Sequence, residues 1–322
     1  MENHVSERNP GVSIIIPAYN TAPLIASCLD SVFRQTFRDF EIIVVNDGSP
    51  DTPQLEQALQ PYREKIVYIV QPNKRAAGAR NTAIRAARGE LLAFLDSDDS
   101  WLPDHLASQV KLFDQDPRLD LTYADAFLIS ELPNQQTFTE RCPSEGEASF
   151  EALVNERCQI PISTVVARKS AIVKAGYFDE NLLRCDDYDM WLRTAFVGGK
   201  IAYNRRPQAR LYQGRPDSLG VSPVKMSEAY LRILEKAAQI LPLNETQRIV
   251  VHRRAAEVKA NYLLEEGKAQ LREGHLDRAR ELLAEANLHL RRFKLGLVVR
   301  GLGMAPSFTN MMLGVWQKFR SA

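Results

Sequence analysis

The sequence predicts an α/β protein, a mostly parallel, doubly wound sheet followed by an α-helical C-terminal region. Three observations predict it. From Val12 to about residue 100, short β-branched runs alternate with segments of helical period; acidic and polar residues gather just after those runs; and beyond Pro223 the pattern becomes helical almost throughout.

The runs are VSIII (12–16), FEIIVV (40–45), KIVYIV (65–70) and ELLAFL (90–95). Each is short and continuous, which is what strands buried on both faces require. Between the first two, TAPLIASCLDSVFRQ (21–35) places Leu24, Cys28, Val32 and Phe33 on one helical face, so right-handed βαβ crossovers are expected. LDLTYADAFLI (119–129) and PISTVVARKS (161–170) are candidate further strands in a less regular stretch. SEAYLRILEKAAQIL (227–241) and RIVVHRRAAEVKANYLLEEGKAQL (248–271) combine good helix formers with apolar residues three and four apart. The organisation expected is a polar tail (1–11), one large domain (12–224) and a helical region (225–322).

Composition bounds the function. The chain has 322 residues, 45% hydrophobic and 25% charged, with a net charge of +1, so disordered, collagen-like and nucleic-acid-binding classes are excluded. Residues 225–322 carry 17 Lys/Arg against 10 Asp/Glu, which puts the positive excess at the C-terminal end. Four cysteines without CxxC pairing indicate neither a disulfide framework nor a zinc ribbon, and a reducing cytoplasm is expected. Residues 1–11 have no apolar h-region, and no run of 18 apolar residues could span a bilayer.

In a doubly wound sheet, ligands bind beyond the carboxyl ends of the strands. There stand Pro17, Tyr19 and Asn20 after the first run, Asp47, Gly48 and Ser49 after the second, and Asp96, Asp98 and Asp99 after the fourth. In LDSDDSW (95–101), Asp96 and Asp98 suit a hard divalent cation whose shell is completed by phosphate oxygens and water. A solvated loop capping the next helix is the alternative. With only His105 inside the α/β region, a His-rich zinc site and a Ser-His-Asp triad both lack their histidine, which favours Mg²⁺ or Mn²⁺. Asp47 faces the ligand while Asp51 caps the following helix. In NKRAAGARNTAIRAARG (73–89), Arg80 beside small residues at a helix start suits a diphosphate, with Arg85 and Arg88 on a solvated face. In RCDDYDMWLRTA (184–195), Asp186, Asp187 and Asp189 either answer the helix dipole or supply a general base.

SIIIPAYN (13–20), VVNDGSPDT (44–52), AGARNTA (77–83), LAFLDSDDSWLP (92–103), AGYFDENL (175–182) and CDDYDMWLR (185–193) together resemble the inverting family 2 glycosyltransferases of GT-A fold. The resemblance implies a nucleotide-sugar half (12–100) and an acceptor half (101–224). It implies that Pro17, Ala18, Tyr19, Asp47 and Arg80 hold the nucleotide. Asp98 is the implied metal ligand, with Asp96 beside it and nearer the ribose, and Asp187 the implied catalytic base. Asp186 stands where Glu is usual, and Trp191 follows on the diphosphate or acceptor side. In YQGRPDSLG (212–220), Gln213 and Arg215 stand where the family commonly has Arg and His; Arg215 cannot ligate a metal but can bind phosphate oxygens.

Residues 267–286 resemble one tetratricopeptide-type hairpin, with Gly267, Ala279 and Ala286 at the small positions. After Glu285 no side-chain carboxylate occurs, while Arg291, Arg292, Lys294, Arg300, Lys318 and Arg320 alternate with large apolar residues. That composition suits either a helix lying on an anionic membrane or a closing helix docked on protein. The expected activity is transfer of a sugar from a nucleoside diphosphate sugar, UDP-linked by family frequency, to a saccharide or lipid-linked acceptor at the cytoplasmic face of the membrane. A nucleotidyltransferase and a non-catalytic scaffold are the rival readings. The first needs a Gly-rich phosphate loop after the first strand, which PAYNTA (17–22) lacks, and the second has no use for converging carboxylates.

Overall fold

The computed structural model describes residues 9–130, 136–142, 144–213 and 222–303, in two compact units, 1–218 and 219–322. In the first unit the strands are β1 (Val12–Ala18), β2 (Phe40–Asp47), β3 (Val67–Gln71), β4 (Leu91–Phe94), β5 (Ser100–Trp101), β6 (Leu119–Ile129), β7 (Gln136–Thr137), β8 (Val166–Arg168) and β9 (Lys200–Tyr212). The helices are α1 (Ile25–Phe33), α2 (Thr52–Leu59), α3 (Arg75–Ala86), α4 (His105–Gln115), α5 (Phe138–Arg141), α6 (Phe150–Val154), α7 (Lys169–Lys174) and α8 (Asp186–Phe196).

One sheet runs in the order β3-β2-β1-β4-β8-β6-β9-β5, with β7 on β6. The four strands on the β3 side are mutually parallel, as the alternating pattern predicts. The other half departs from that expectation. β8 is antiparallel to both β4 and β6, β5 is antiparallel to β9, and β6 runs parallel to β9 with three register shifts. A continuous apolar run carries no sign of direction, so the mixed half was not legible as such.

Two runs also read differently in space. KIVYIV becomes an edge strand with Val70 57% exposed, because β3 has only β2 beside it. The 161–170 run yields only the three residues of β8. Ahead of them, a 3-10 turn at Ile162–Thr164 presents the Ser163 carbonyl to Trp101 Nε1 (2.6 Å) and the Thr164 carbonyl to Gln109 Nε2 (3.0 Å). Gly89, ahead of β4, is dictated by space, since a Cβ there would lie 2.6 Å from the Ser13 nitrogen.

Val12, Ile14 and Ile16 of β1, Ile42 and Val44 of β2, and Leu29 and Val32 of α1 form the main core. Trp101 and Leu106 extend it under α4. His105 is fully buried there and stacks on Trp101 (ring centroids 4.4 Å apart), with neither ring nitrogen hydrogen-bonded.

The second unit holds α9 (Pro223–Ile240), α10 (Glu245–Glu273), α11 (Leu276–Leu290) and α12 (Phe293–Leu302). Asn244 and Gln247 form a capping box at the start of α10, and Gly274 at φ 84° ends it. α10 packs on α11 through small residues: a Cβ on Gly267 would lie 2.8 Å from Leu283, and Ala279 and Ala286 are buried. Among the described residues no helix is long and apolar enough to cross a membrane.

Burial pushes His105 down to about 3, far below the ordinary imidazole value. Between that value and about 6.5 the unfolded chain binds a proton that the folded chain refuses, so stability falls as pH falls through this window. Urea unfolding from pH 6.5 to 4 is expected to show a loss approaching ~1.4 kcal/mol per pH unit from this group, and His105→Phe is expected to remove that share of the slope.

Candidate active site

The rim of the sheet is assembled by side chains that tie separate loops together. Asp47, the last residue of β2, is buried, and its Oδ1 accepts from Gln71 Nε2 (2.7 Å) and from the Lys74 backbone nitrogen (2.8 Å). Gly48 turns the chain at φ 63°, where a Cβ would meet the Asn73 nitrogen at 2.7 Å. Asp51 occupies the N-cap position of α2, but its side chain does not cap that helix. It accepts instead from the Ala22 nitrogen (2.8 Å) and from the Ser49 hydroxyl, while Ser49 Oγ accepts from the Asn20 nitrogen (2.7 Å). Asp51 therefore corrects its expected role, since it fastens the loop after β1 to the loop after β2. At the end of β1 Pro17 is half-buried and Ala18 buried, and Tyr19 just after it is exposed.

Arg80 lies in α3, buried between two carboxylates. Its Nη2 donates to Asp96 Oδ1 and its Nη1 to Asp186 Oδ2, each at 2.7 Å. One guanidinium thus joins the acid after β4 to the first residue of α8. The neighbouring Asn81 exchanges hydrogen bonds with the Phe178 backbone (2.8 Å to its oxygen, 3.0 Å from its nitrogen), and the Arg80 guanidinium lies 5.6 Å from the Phe178 ring centre. The AGARNTA and AGYFDENL segments are thereby one structural unit, and Asn81 is a positioning residue the sequence reading missed. Its signal would have been the short amide beside Arg80.

After β4 the Asp96 nitrogen donates to Ser163 Oγ (3.1 Å), and that hydroxyl donates to Asp99 Oδ2 (2.5 Å). Asp99 Oδ1 accepts from the Tyr212 nitrogen at the end of β9 (3.0 Å). Asp99 is buried, and burial together with Asp98 and Asp96 raises its carboxyl well above the ordinary range. It locks the turn that presents Asp96 and Asp98, both half-buried. Ser163, in a segment read only as strand, left no signal of this role.

α8 begins after Cys185, which adopts the left-handed region at φ 57°. Asp187 is half-buried and raised to about 6 by burial first and the adjacent Asp186 second. Arg80 and the Tyr188 N–H oppose that rise without cancelling it. Asp189 pairs with Arg193 one turn on (2.7 and 2.9 Å), so its charge is spent within the helix. Trp191 corrects its expectation: it is buried edge-on against Phe94 and Phe178, because its position on α8 turns it to the core rather than to the crevice. Arg215 lies outside the described residues.

The family model of glycosyl transferase family 2 matches residues 13–149. Amylovoran biosynthesis glycosyltransferase AmsB of Erwinia amylovora is 30% identical over 62% of this chain and 69% of its own length. This chain belongs to glycosyltransferase family 2. The UDP-Glc:alpha-D-GlcNAc-diphosphoundecaprenol beta-1,3-glucosyltransferase WfaP of Escherichia coli is 29% identical over 59% of this chain and 72% of its own. The mannosyltransferase PcManGT of Pyrobaculum calidifontis, solved with GDP-Man and Mn²⁺, superimposes with a TM-score of 0.60 at 19% identity, covering 95% of this chain and 84% of that one. That likeness shows the GT-A fold.

Removing Arg80 would leave Asp96 and Asp186 facing each other without their shared cation. Arg80→Met is expected to cost about 3–5 kcal/mol in urea unfolding, and Arg80→Lys, which keeps the charge but not the fork, distinctly less.

Proposed function

We propose that this family 2 member is an inverting, divalent-cation-dependent enzyme that moves a sugar from a UDP-sugar to a hydroxyl of a saccharide or lipid-linked acceptor in envelope polysaccharide or glycolipid synthesis. The observation that supports the reading best is the Arg80 fork, which sets a strand-end acid and a helix-end acid on one rim beside a carboxyl raised to about 6. WfaP, whose name states a UDP-Glc donor and a diphosphoundecaprenol-linked acceptor, supports the nucleotide and the acceptor class.

A cation fits the donor set. Asp96 and Asp98 offer only oxygen, and after burial it is their charge that raises the neighbouring Asp99. Two carboxylates with diphosphate oxygens and water suit Mg²⁺ or Mn²⁺. Bound there, the ion would disperse the charge developing on the leaving nucleoside diphosphate.

The remaining steps belong to the protein. Asp47, fixed through Oδ1, accepts from the base or ribose, and Tyr19 and Pro17 flank the base. Asp187 accepts the proton of the acceptor hydroxyl as that oxygen attacks the anomeric carbon opposite the leaving group. A raised affinity near neutrality suits this: the carboxyl is ionised at working pH yet basic enough to take the proton. Arg80 holds Asp186 in place beside Asp187, and burial with that neighbouring acid keeps the Asp187 carboxyl high. The rival nucleotidyltransferase reading needs a Gly-rich phosphate loop after β1. In its place stands a loop pinned through Asn20 to Ser49.

A panel of nucleotide sugars with Mn²⁺ or Mg²⁺ tests the proposal: one donor should be hydrolysed or should protect against heat, and EDTA should abolish the effect. No hydrolysis and no protection by any donor would overturn it. Asp187→Asn is expected to leave donor binding within about twofold while transfer falls by about 10²–10⁴. The wild-type transfer rate should rise with pH through about 6 and level off above, as Asp187 loses its proton.

A further inference from the structure

At the turn between α11 and α12 the helical unit exposes large apolar side chains among cations. Leu288 is 73% exposed, Phe293 79% and Leu297 44%. Arg291, Arg292, Lys294 and Arg300 are exposed around them, and no side-chain carboxylate follows Glu285 in the sequence.

The exposure follows from how α12 is mounted. Leu295 is buried in the cluster formed by α10 and α11, with Val298, Val299 and Leu302 packed against it. Those positions occupy one side of the helix. Phe293, Leu297 and Arg300, spaced four and three apart, occupy the opposite side. Among the described residues, α12 therefore packs through one side and exposes Phe293 and Leu297 beside Arg300 on the other. The connection is specified as well. Arg291 ends α11 at φ 48°, a left-handed position usually given to glycine, and the Arg292 nitrogen donates to Asn287 Oδ1 (2.9 Å).

From this corner we infer a docking surface for an anionic lipid bilayer, with Phe293, Leu288 and Leu297 entering the headgroup–acyl boundary and the four cations meeting acidic phospholipid headgroups. Phe293 and Leu297 stand among Arg291, Arg292, Lys294 and Arg300 with no side-chain carboxylate beyond Glu285, which is one turn before Leu288, and such a cationic apolar face is complementary to that surface. A protein partner would need its own exposed acidic and apolar patch, whereas a bilayer presents both chemistries everywhere. The surface deepens the lipid-linked acceptor proposed above, and its purpose rests on that reading.

The full chain should co-sediment with vesicles of mixed phosphatidylglycerol and phosphatidylcholine and at least about tenfold less with phosphatidylcholine alone. Binding should weaken about tenfold or more in R292E/K294E and several-fold in Phe293→Ser, with unchanged helical circular dichroism and melting in both variants. Equal binding to both vesicle types, wild-type binding by the two variants, or self-association that Phe293→Ser abolishes in sedimentation equilibrium would each overturn the inference. Donor hydrolysis without vesicles is assayed on the same samples. Hydrolysis without vesicle binding removes only the docking surface, and binding without hydrolysis removes only the enzymatic reading.

Discussion

One guanidinium holds the candidate site together. Arg80 is buried with its two Nη donors on Asp96 and Asp186, so the turn after β4 cannot move independently of the start of α8. Burying those acids on either side of nothing would be costly, and burying Arg80 alone equally so. The arrangement is worthwhile where the three are needed in one place. In the proposed enzyme that place is the crevice where a diphosphate leaves and a hydroxyl attacks.

The rest of the rim serves that geometry. Asn81 fixes the Phe178 backbone beneath Arg80, Trp191 packs edge-on behind it, and Ser163 with Asp99 fixes the turn carrying Asp96 and Asp98. Asp51 and Ser49 do the same for the loop after β1. Hydrogen bonds between side chains and distant backbone thus set the position of groups whose own identities only supply charge. The raised Asp187 follows from its burial and from Asp186 beside it.

Much of this was legible in the sequence, for reasons that differ by element. β1, β2 and β4 were readable because both faces are buried and the runs are continuous; β3 gave the same pattern from an exposed edge, where the signal misleads. Acids at strand ends could be placed on the rim because chain direction fixes where a strand ends. The partners of those acids could not. Asn81 and Phe178 stand 97 residues apart, Asp96 and Ser163 67 apart, and no local period records such pairings. Trp191 was misplaced because adjacency to an acidic run says nothing about which way a helix face turns. Asp51 sits at a cap position yet accepts from the Ala22 N–H of the loop after β1, a partner 29 residues away that no local pattern records.

The measurement that bears most directly on the shared guanidinium is a double-mutant cycle of Asp96→Asn and Asp186→Asn, read on both donor hydrolysis and unfolding free energy. If Arg80 makes the two acids one unit, the substitutions are coupled, by about 1–3 kcal/mol in unfolding and with a matching non-additive loss of rate. Additivity within about 0.5 kcal/mol on both readouts would mean the two acids act separately, and the account of a single assembled site would be contradicted.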